Sequence, residues 1–305
     1  MKTALLFPGQ GSQYIGMGQD FYSKYEASKL VMDELDDVLE RSLSKDIFNG
    51  IDTEISKTQN AQPAIMATSI SIFNALIAEN LLSDNSFQCV AGHSLGEYSA
   101  LVVNKALAFN DSVKLLRLRS KAMQESMPIG TGGMIAILGT SNDVIDLVLD
   151  KAGRYGKIFI ANDNAKGQIV LSGELSAIEF IMSNTKELEI RKAVKLPVSA
   201  PFHCELINKA TNVMKLEISN YTFKSFSVPL YSNVTSEICN ENNIAELLIK
   251  QITCKVRWRE IIQNMTSDGI ENFIEIGPNN ILTGLVKRIS KEVKAISISK
   301  LEDLD

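Results

Sequence analysis

The sequence contains few of the residues that build disulfide frameworks and metal sites. Its 305 residues include four cysteines, two histidines and one tryptophan. The cysteines lie far apart and form no CxxC pair, which argues against structural disulfides and zinc and indicates a reducing compartment. The net charge of −5 argues against a general nucleic-acid binder.

Long apolar runs are also missing. No continuous apolar stretch approaches the length of a membrane span, and the first short one is interrupted by Pro8-Gly9. We therefore expect neither a membrane span nor a signal peptide, and a cytoplasmic location. Apolar residues make up 45% of the chain, enough for a sizeable core. The length suits one large α/β domain, or a large and a small one.

What the sequence does contain is a serine flanked by glycines, Gly92-His93-Ser94-Leu95-Gly96. It follows a short apolar run at 87–91 and precedes a stretch with helical patterning. It therefore predicts a strand, a sharp turn with the serine at its tip, and a helix. Such a turn presents a nucleophilic hydroxyl at the carboxyl edge of a sheet, near the positive end of a helix. The same pattern also suits an ordinary turn between a strand and a helix.

The order of predicted elements indicates an α/β core that carries an inserted small lobe. A strand at 4–7, a helix at about 61–80 with Pro63 in its first turn, and further helices lead to residue 128. Residues 129–197 follow the order strand, helix, strand, strand, helix, strand, with the second strand at 157–161, which is typical of a ferredoxin-like unit. The core therefore comprises 1–128 and 198–305, and the cleft between core and lobe is the expected ligand site.

A seryl nucleophile needs a base, and the chain offers only His93 and His203. His93 is the neighbour of Ser94 on the turn and should point away from it, which leaves His203. A neutral imidazole there would accept the seryl proton and later protonate a leaving thiolate. No aspartate stands in a matching loop, so we expect a carbonyl group to hold the imidazole in its tautomer.

Two further requirements of acyl transfer are oxyanion donors and selection of the acyl group. One candidate donor is the amide of Leu95, directly after the nucleophile. The other is the amide of Gln10, in the glycine-rich loop after the first strand. That loop would also suit an ordinary tight turn. Arg119 lies on the helix after the elbow helix, where arginines are usually solvated. If it faces the cleft instead, it could bind a carboxylate, which would indicate a dicarboxylic acyl group such as malonyl.

Taken together, these residues resemble the malonyl-CoA:acyl-carrier-protein transacylase family of fatty-acid synthesis. The motifs occur nearly end to end and in the family's order. They are Phe7-Pro8-Gly9-Gln10-Gly11-Ser12-Gln13, Gly92-His93-Ser94-Leu95-Gly96-Glu97-Tyr98-Ser99-Ala100, Arg119-Ser120-Lys121-Ala122-Met123-Gln124, Gly130-Thr131-Gly132-Gly133-Met134, Phe202-His203 and Glu275-Ile276-Gly277-Pro278.

The resemblance implies an α/β-hydrolase-like core with a ferredoxin-like subdomain. It implies Ser94 as nucleophile, His203 as base, Gln10 and Leu95 as backbone oxyanion donors, and Arg119 as the ligand of the malonyl carboxylate. The expected reaction passes malonyl from malonyl-CoA to the phosphopantetheine thiol of holo acyl-carrier protein through a malonyl-serine, and it supplies the extender unit for fatty-acid synthesis. We expect no cofactor and no metal, a transient carrier partner and a monomer.

Four other positions follow from the resemblance. The backbone carbonyl of Gln251 would orient the imidazole, and Asn162 would lie near the substrate. Phe202 resembles the bulky choice of relatives that take malonyl rather than α-methylated malonyl, although simple core packing explains it equally well. Asp163 departs from the family, because relatives often carry an apolar residue there, and its charge could alter the edge of the cleft.

Carrier proteins of this pathway are acidic, so an acidic enzyme needs a local basic patch to receive one. Two groups are candidates, although both could be ordinary solvated helix faces. One comprises Lys250, Lys255, Arg257 and Arg259 around Trp258, and the other comprises Lys114, Arg117 and Lys121 near Arg119.

Three other functions stay open on the sequence alone. A serine hydrolase would use a similar elbow without needing Arg119, and would more often carry an acid beside its histidine. A non-catalytic carrier-binding module would have no reason to keep Ser94 and His203. An acyltransferase for a different acyl group is the most serious rival, because only Arg119 separates it from the malonyl enzyme.

Overall fold

Two sheets organise the chain, whose residues 2–304 are described by a computed structural model. The strands are β1 (Lys2–Phe7), β2 (Cys89–Gly92), β3 (Gly132–Leu138), β4 (Ile158–Ala165), β5 (Gln168–Glu174), β6 (Lys192–Lys195), β7 (Leu230–Tyr231), β8 (Ile238–Cys239), β9 (Ile270–Ile276) and β10 (Lys294–Ile298). The helices are α1 (Gln19–Lys24), α2 (Glu26–Leu39), α3 (Leu43–Asn49), α4 (Asp52–Ile55), α5 (Thr58–Ala78), α6 (Gly96–Val103), α7 (Phe109–Glu125), α8 (Asn142–Ala152), α9 (Leu175–Ser183), α10 (Asn208–Ile218), α11 (Ile244–Gln251), α12 (Trp258–Ser267) and α13 (Ile281–Ile289).

The larger sheet has the order β10-β9-β1-β2-β7-β8, parallel except for β8. Alternate residues of its strands enter two different cores, as the period of two requires. Leu5 and Phe7 pack on the face covered by α2, α5 and α7, whereas Ala4 and Leu6 pack on the face covered by α12 and α13. Burial on both faces explains why β1 reads as a continuous apolar run.

The smaller sheet comes from one continuous segment and is antiparallel throughout, with the order β4-β5-β3-β6. Ile135 and Ile137 of β3 face α8 and α9 in a core of their own. The residue between them, Ala136, and the preceding Met134 face the larger sheet's side of the molecule. This alternation gives the smaller sheet an apolar face directed toward the core of the larger one.

Helix α5 begins at Thr58, three residues before the predicted start, so Pro63 lies in its second turn rather than its first. A proline there leaves the carbonyl of residue 59 without its helical donor. Arg117 Nη1 donates to that carbonyl at 2.7 Å. By length and composition α5 could cross a membrane, but 83% of its apolar window is buried inside the protein. Helix α5 is therefore a core helix of this fold.

The α/β class and the alternation of helices and strands are confirmed by this architecture. Strand β4 runs four residues further than the predicted 157–161, through the polar stretch at 162–164. Two register shifts interrupt its pairing with β5 there. The polar residues of β4 are therefore part of the sheet, and they lie at the site described next.

Candidate active site

Ser94 lies on the sharp turn between β2 and α6, with a left-handed φ of 55°. The turn is possible because the flanking glycines lack side chains. A Cβ at Gly92 would lie 1.8 Å from the carbonyl carbon of Gly96, and a Cβ at Gly96 would lie 2.2 Å from the carbonyl oxygen of Phe7. The predicted strand, turn and helix are therefore all present. The serine hydroxyl stands at the carboxyl edge of the larger sheet.

The loop after β1 packs directly against this turn. A Cβ at Gly9 would lie 2.6 Å from the carbonyl oxygen of His93, so the two segments touch at the backbone. Within residues 2–304, neither the amide of Gln10 nor that of Leu95 donates to a protein acceptor. Gln10 and Leu95 both line the cavity beside Ser94. Their free N–H groups suit the binding of a developing oxyanion.

His203 lies on the loop between β6 and α10, with a φ of 58°, and its side chain reaches Ser94. The Ser94 hydroxyl lies 2.8 Å from His203 Nε2, and His203 Nδ1 lies 2.8 Å from the main-chain oxygen of Gln251. Because a carbonyl can only accept, Nδ1 carries the proton and Nε2 presents a lone pair to the serine. Burial, together with the nearby Arg119 cation, lowers the pKa of His203 to about 3.

The guanidinium of Arg119 is fully buried and sits beside the serine. Nη2 donates to Ser94 Oγ at 3.0 Å and to Gln251 Oε1 at 2.7 Å, and Nη1 donates to Gln62 Oε1 at 2.6 Å. Its Nε has no partner among the described residues, and none of the ion pairs within residues 2–304 includes Arg119. A buried cation held only by neutral acceptors suits an anionic ligand.

A cavity of about 250 Å³ opens over Ser94 and His203. Gln10 and Gln62 contribute to its polar wall, while Met134, Val170 and Phe202 contribute to an apolar wall. The apolar wall comes largely from the inner face of the smaller sheet. Asn162, which is predicted to lie near the substrate, also lines this cavity.

His93 does not contact the serine hydroxyl. Its Nε2 lies 2.8 Å from Asn164 Oδ1, and its ring packs 5.4 Å from the ring of Trp258. Asp163, the departure from the family pattern, lies between the two cavity asparagines but is turned toward α12. Its carboxylate accepts two hydrogen bonds from Arg259, at 2.9 and 2.6 Å. The extra charge is therefore neutralised and ties β4 to α12.

Three residues of this network were missed at the level of sequence. Gln62 holds Arg119, Asn233 contacts the backbone of the elbow, and Glu97 is buried beneath both elbow and arginine. Asn233 follows a two-residue strand, which is too short to show periodicity. Glu97 carries a usable signal, because it is a charged residue in the first turn of a helix that is otherwise apolar.

The lowered pKa of His203 gives a direct prediction. At pH 5 an imidazole with the ordinary pKa of about 6.5 would be about 97% protonated. We expect His203 to remain neutral there, with its proton on Nδ1. The measurement is an NMR titration of protein labelled with ¹⁵N in the imidazole ring, where only two histidines contribute. A His93→Gln variant assigns the signals. A midpoint for His203 near 6.5 would contradict the described environment.

An α/β fold that presents a serine hydroxyl to a neutral imidazole, beside two free main-chain amides, defines an enzyme of the serine acyl-transfer class. Comparison with known proteins gives the family. The model of the acyl transferase domain matches residues 4–301, so the chain belongs to the acyl transferase domain family. The resemblance drawn from the motifs is confirmed at this level.

Individual relatives agree over the full length. The chain is 41% identical over 306 residues to the malonyl CoA-acyl carrier protein transacylase of Bacillus subtilis (strain 168), covering 100% of this chain and 95% of that protein. It is 35% identical over 299 residues to the protein of the same name from Haemophilus influenzae, covering 98% and 95%.

Solved structures show the same likeness. An acyl-carrier-protein-S-malonyltransferase from Bartonella henselae superimposes with a TM-score of 0.96 at 39% identity, covering 100% of this chain and 97% of that one. A malonyl-transacylase solved in complex with its type II PKS acyl-carrier protein has a TM-score of 0.95 at 33% identity, covering 100% and 98%.

Proposed function

We propose that this chain transfers a malonyl group from malonyl-CoA to the phosphopantetheine thiol of holo acyl-carrier protein, through a malonyl ester on Ser94, and so supplies extender units for fatty-acid synthesis. The observation that carries the proposal is the buried guanidinium of Arg119, 3.0 Å from the serine oxygen and without a carboxylate partner among the described residues. The names of the relatives support the same substrate pair.

In the first half-reaction, Ser94 Oγ attacks the thioester carbonyl carbon of malonyl-CoA while His203 Nε2 takes the seryl proton. The amides of Gln10 and Leu95 donate to the resulting oxyanion. The carbon–sulfur bond then breaks, and the imidazolium gives its proton to the CoA thiolate. The carbonyl of Gln251 keeps the imidazole oriented throughout without adding a buried charge.

Arg119 acts when the ester forms. The Nη2 proton that now bonds to the serine hydroxyl loses a good acceptor when Oγ becomes an ester oxygen. It is then free to bond to the malonyl carboxylate, together with the unpartnered Nε. A fixed carboxylate would also hold the ester carbonyl against the two amides, which favours attack by a positioned thiol.

In the second half-reaction His203 removes the proton of the phosphopantetheine thiol, and the sulfur attacks the ester carbonyl. The carbon–oxygen bond breaks, and the imidazolium returns its proton to Ser94. One thioester is exchanged for another, so the reaction should run in both directions. We infer that neither a metal nor a cofactor takes part in the reaction. Measuring activity after treatment with a chelator tests this for a metal.

We infer the finer architecture from the same evidence. The six-stranded sheet with its flanking helices would be an α/β-hydrolase-like core over 1–128 and 198–305. Residues 129–197 would be a ferredoxin-like subdomain, which the order β4-β5-β3-β6 and the two helices α8 and α9 support. We further propose a monomer that works in the cytoplasm.

Acyl selectivity beyond the carboxylate would rest on the wall formed by Phe202. The side chain is 5% exposed and lines the cavity, and its main-chain oxygen accepts a hydrogen bond from Ser172 Oγ at 2.5 Å. That contact fixes Phe202 against the smaller sheet. We propose that its ring narrows the space beside the α-carbon of the acyl group.

Of the two basic groups, the one around Trp258 is already paired. Trp258 is fully buried, and each of the four basic residues around it contacts a carboxylate. Among the described ion pairs none includes Lys114, Arg117 or Lys121. Arg117 bonds to the carbonyl of Gln59, which lines a surface cleft that continues from the cavity through Pro197 and Val198. We propose that this second group receives the acidic carrier.

The carrier surface is tested by charge reversal. We expect Lys114→Glu combined with Lys121→Glu to raise the KM for holo carrier protein several-fold, because exposed charges mainly steer association. The effect should weaken with added salt, and the KM for malonyl-CoA serves as an internal comparison. Lys215→Glu, an equally exposed change on α10, is the matched control. If the double reversal left the KM for the carrier protein unchanged, this basic group would not be the surface that receives the carrier.

The proposed function is tested with purified full-length chain, holo carrier protein, and malonyl-, methylmalonyl- or acetyl-CoA. We expect rapid malonyl transfer, slower methylmalonyl transfer and little hydrolysis. Release of malonate to water in preference to the carrier would identify a hydrolase. Preference for acetyl would identify an acyltransferase of different specificity.

A further inference from the structure

Ser94 has to be held in its left-handed conformation, which is strained for a residue other than glycine. Two side chains hold the peptide groups on either side of it. Asn233 Oδ1 accepts the N–H of Ser94 at 2.7 Å, and Gln251 Nε2 donates to the C=O of Ser94 at 2.9 Å. Asn233 Nδ2 also donates to the carbonyl oxygen of Gly92 at 2.7 Å. These two amides, together with the main-chain N–H of Glu97 that donates to the Ser94 carbonyl at 3.1 Å, hold the backbone of the nucleophile.

Both amides meet at one carboxyl group. Glu97 lies three residues after Ser94, in the first turn of α6, and is fully buried. Its Oε1 accepts the main-chain N–H of Asn233 at 2.6 Å, and its Oε2 accepts a hydrogen bond from Gln251 Nε2. Burial raises the pKa of Glu97 to about 8, although the two N–H donors and the Arg119 cation oppose that rise. Because each of its oxygens faces an N–H donor, the contacts described here require the ionised form.

The orientation of the Gln251 amide is fixed from three sides. Its Oε1 must face Arg119, which can only donate, and its Nε2 must face the carbonyl of Ser94, which can only accept. The Nε2 group therefore has to donate to its third neighbour, Glu97. Gln251 also supplies the main-chain oxygen that orients His203. One residue thus touches the nucleophile, the base and the guanidinium.

We propose that Glu97 is a positioning residue, whose carboxylate fixes Asn233 and Gln251 and through them the backbone of Ser94 and the guanidinium of Arg119. It makes no contact with the reacting atoms. An apolar side chain would fill the same space without the cost of burying a charge. The carboxylate is needed because the main-chain N–H of Asn233 and the side-chain NH₂ of Gln251 converge on this position, and each needs an acceptor.

Glu97→Gln removes one of the two acceptors at nearly constant volume. If the new amide oxygen accepts from Asn233, the new NH₂ group opposes the NH₂ of Gln251. Rotation of the Gln251 amide would relieve that clash, but it would direct an NH₂ group at Arg119 and an oxygen at the Ser94 carbonyl. No arrangement satisfies the three neighbours Asn233, Arg119 and Ser94 and also the contact between residues 97 and 251. We expect kcat to fall by about 10- to 100-fold, the usual range for residues that orient a site from behind.

The matched control is Glu275→Gln. Glu275 is equally buried and also accepts two N–H groups, those of Leu282 and Thr283 at 3.1 and 2.7 Å, but it caps α13 and has no link to Ser94. Both variants should lose comparable stability, measured as the midpoint of denaturant unfolding. Only Glu97→Gln should lose kcat per folded molecule.

A second variant separates positioning from packing. Glu97→Gln combined with Gln251→Glu restores a donor and an acceptor between residues 97 and 251. It also places a carboxylate against Arg119 and against the carbonyl of Ser94, which keeps only the main-chain N–H of residue 97 at 3.1 Å as a donor. We expect the unfolding midpoint to recover in part and kcat to stay low, because the new carboxylate occupies the guanidinium that the acyl carboxylate needs. The proposal is overturned if Glu97→Gln keeps the wild-type kcat while its unfolding midpoint falls with that of Glu275→Gln.

The inference depends on the proposed function only through the choice of substrate. The rate at which a fluorophosphonate labels Ser94 reports the same geometry without any acyl-CoA. Slow labelling of Glu97→Gln beside normal labelling of Glu275→Gln would support the positioning role even if the wild-type chain preferred another acyl group. Equal labelling of the two variants would reject it even if malonyl transfer were established.

Discussion

Replacing Ser94 by alanine should lower malonyl transfer by roughly 10⁵- to 10⁶-fold, the cost typical of removing a serine nucleophile. The variant loses the hydroxyl that lies 2.8 Å from His203 Nε2, so the acyl group cannot pass through a serine ester on its way from one thiol to the other. Binding of malonyl-CoA should survive, because Arg119 and the apolar wall stay in place. The measurement pairs initial transfer rates with trapping of radiolabelled malonyl on acid-precipitated protein.

A buried serine on the same helix supplies the control for this variant. Ser99 lies in α6 and its hydroxyl has no hydrogen-bond partner among the described residues, so Ser99→Ala should keep full activity. Ser94→Gly is a useful second variant because glycine adopts the left-handed φ without strain. Stable malonyl labelling of Ser94→Ala protein would show that another residue carries the acyl group.

Replacing Arg119 by alanine should lower kcat/KM for malonyl-CoA by about 10²- to 10³-fold. That range corresponds to about 3–4 kcal/mol, the cost of leaving one charge of a buried pair without its partner. Activity with acetyl-CoA, which has no carboxylate, should be retained or should rise. Arg119→Lys should fall between the two, because lysine keeps the charge but loses the planar two-pronged geometry.

The ratio of malonyl to acetyl activity within one preparation is the safest measurement of this effect. It does not depend on the folded fraction, which matters because Arg119→Ala leaves the oxygens of Gln62 and Gln251 without donors. If the variant kept the wild-type ratio of malonyl to acetyl activity, Arg119 would not select the acyl group. The enzyme class would stand, but the malonyl assignment would then rest on the relatives' names alone.

Much of this site could be predicted from the sequence because its chemistry depends on rare residues in special places. Two histidines left one candidate base, and Ser94 lies between glycines that only a sharp turn requires. The structure brings Ser94, His203, Arg119 and the carbonyl of Gln251 together, although 132 residues separate Arg119 from Gln251. Their catalytic roles remain predictions until the variants are measured.

The rest could not be predicted because it depends on contacts between distant segments. The second half of β4 carries no apolar alternation, since Asn162 and Asn164 face the cavity and Asp163 pairs with Arg259 of α12. Gln62 and Asn233 are common polar residues whose partners lie 57 and 139 positions away in the chain. Likewise, only the structure shows that the basic residues around Trp258 are paired with carboxylates.

We propose that Ser94 carries malonyl between two thiols, and a single-turnover experiment tests this role. Purified enzyme is mixed with a stoichiometric amount of malonyl-CoA, and its intact mass and digest are read before and after holo carrier protein is added. We predict a mass increase of one malonyl group on the peptide that contains Ser94, which disappears as malonyl-carrier forms and persists when apo carrier is added instead. Malonyl-carrier that forms without any acyl-enzyme, or an adduct on another residue, would contradict this role of Ser94.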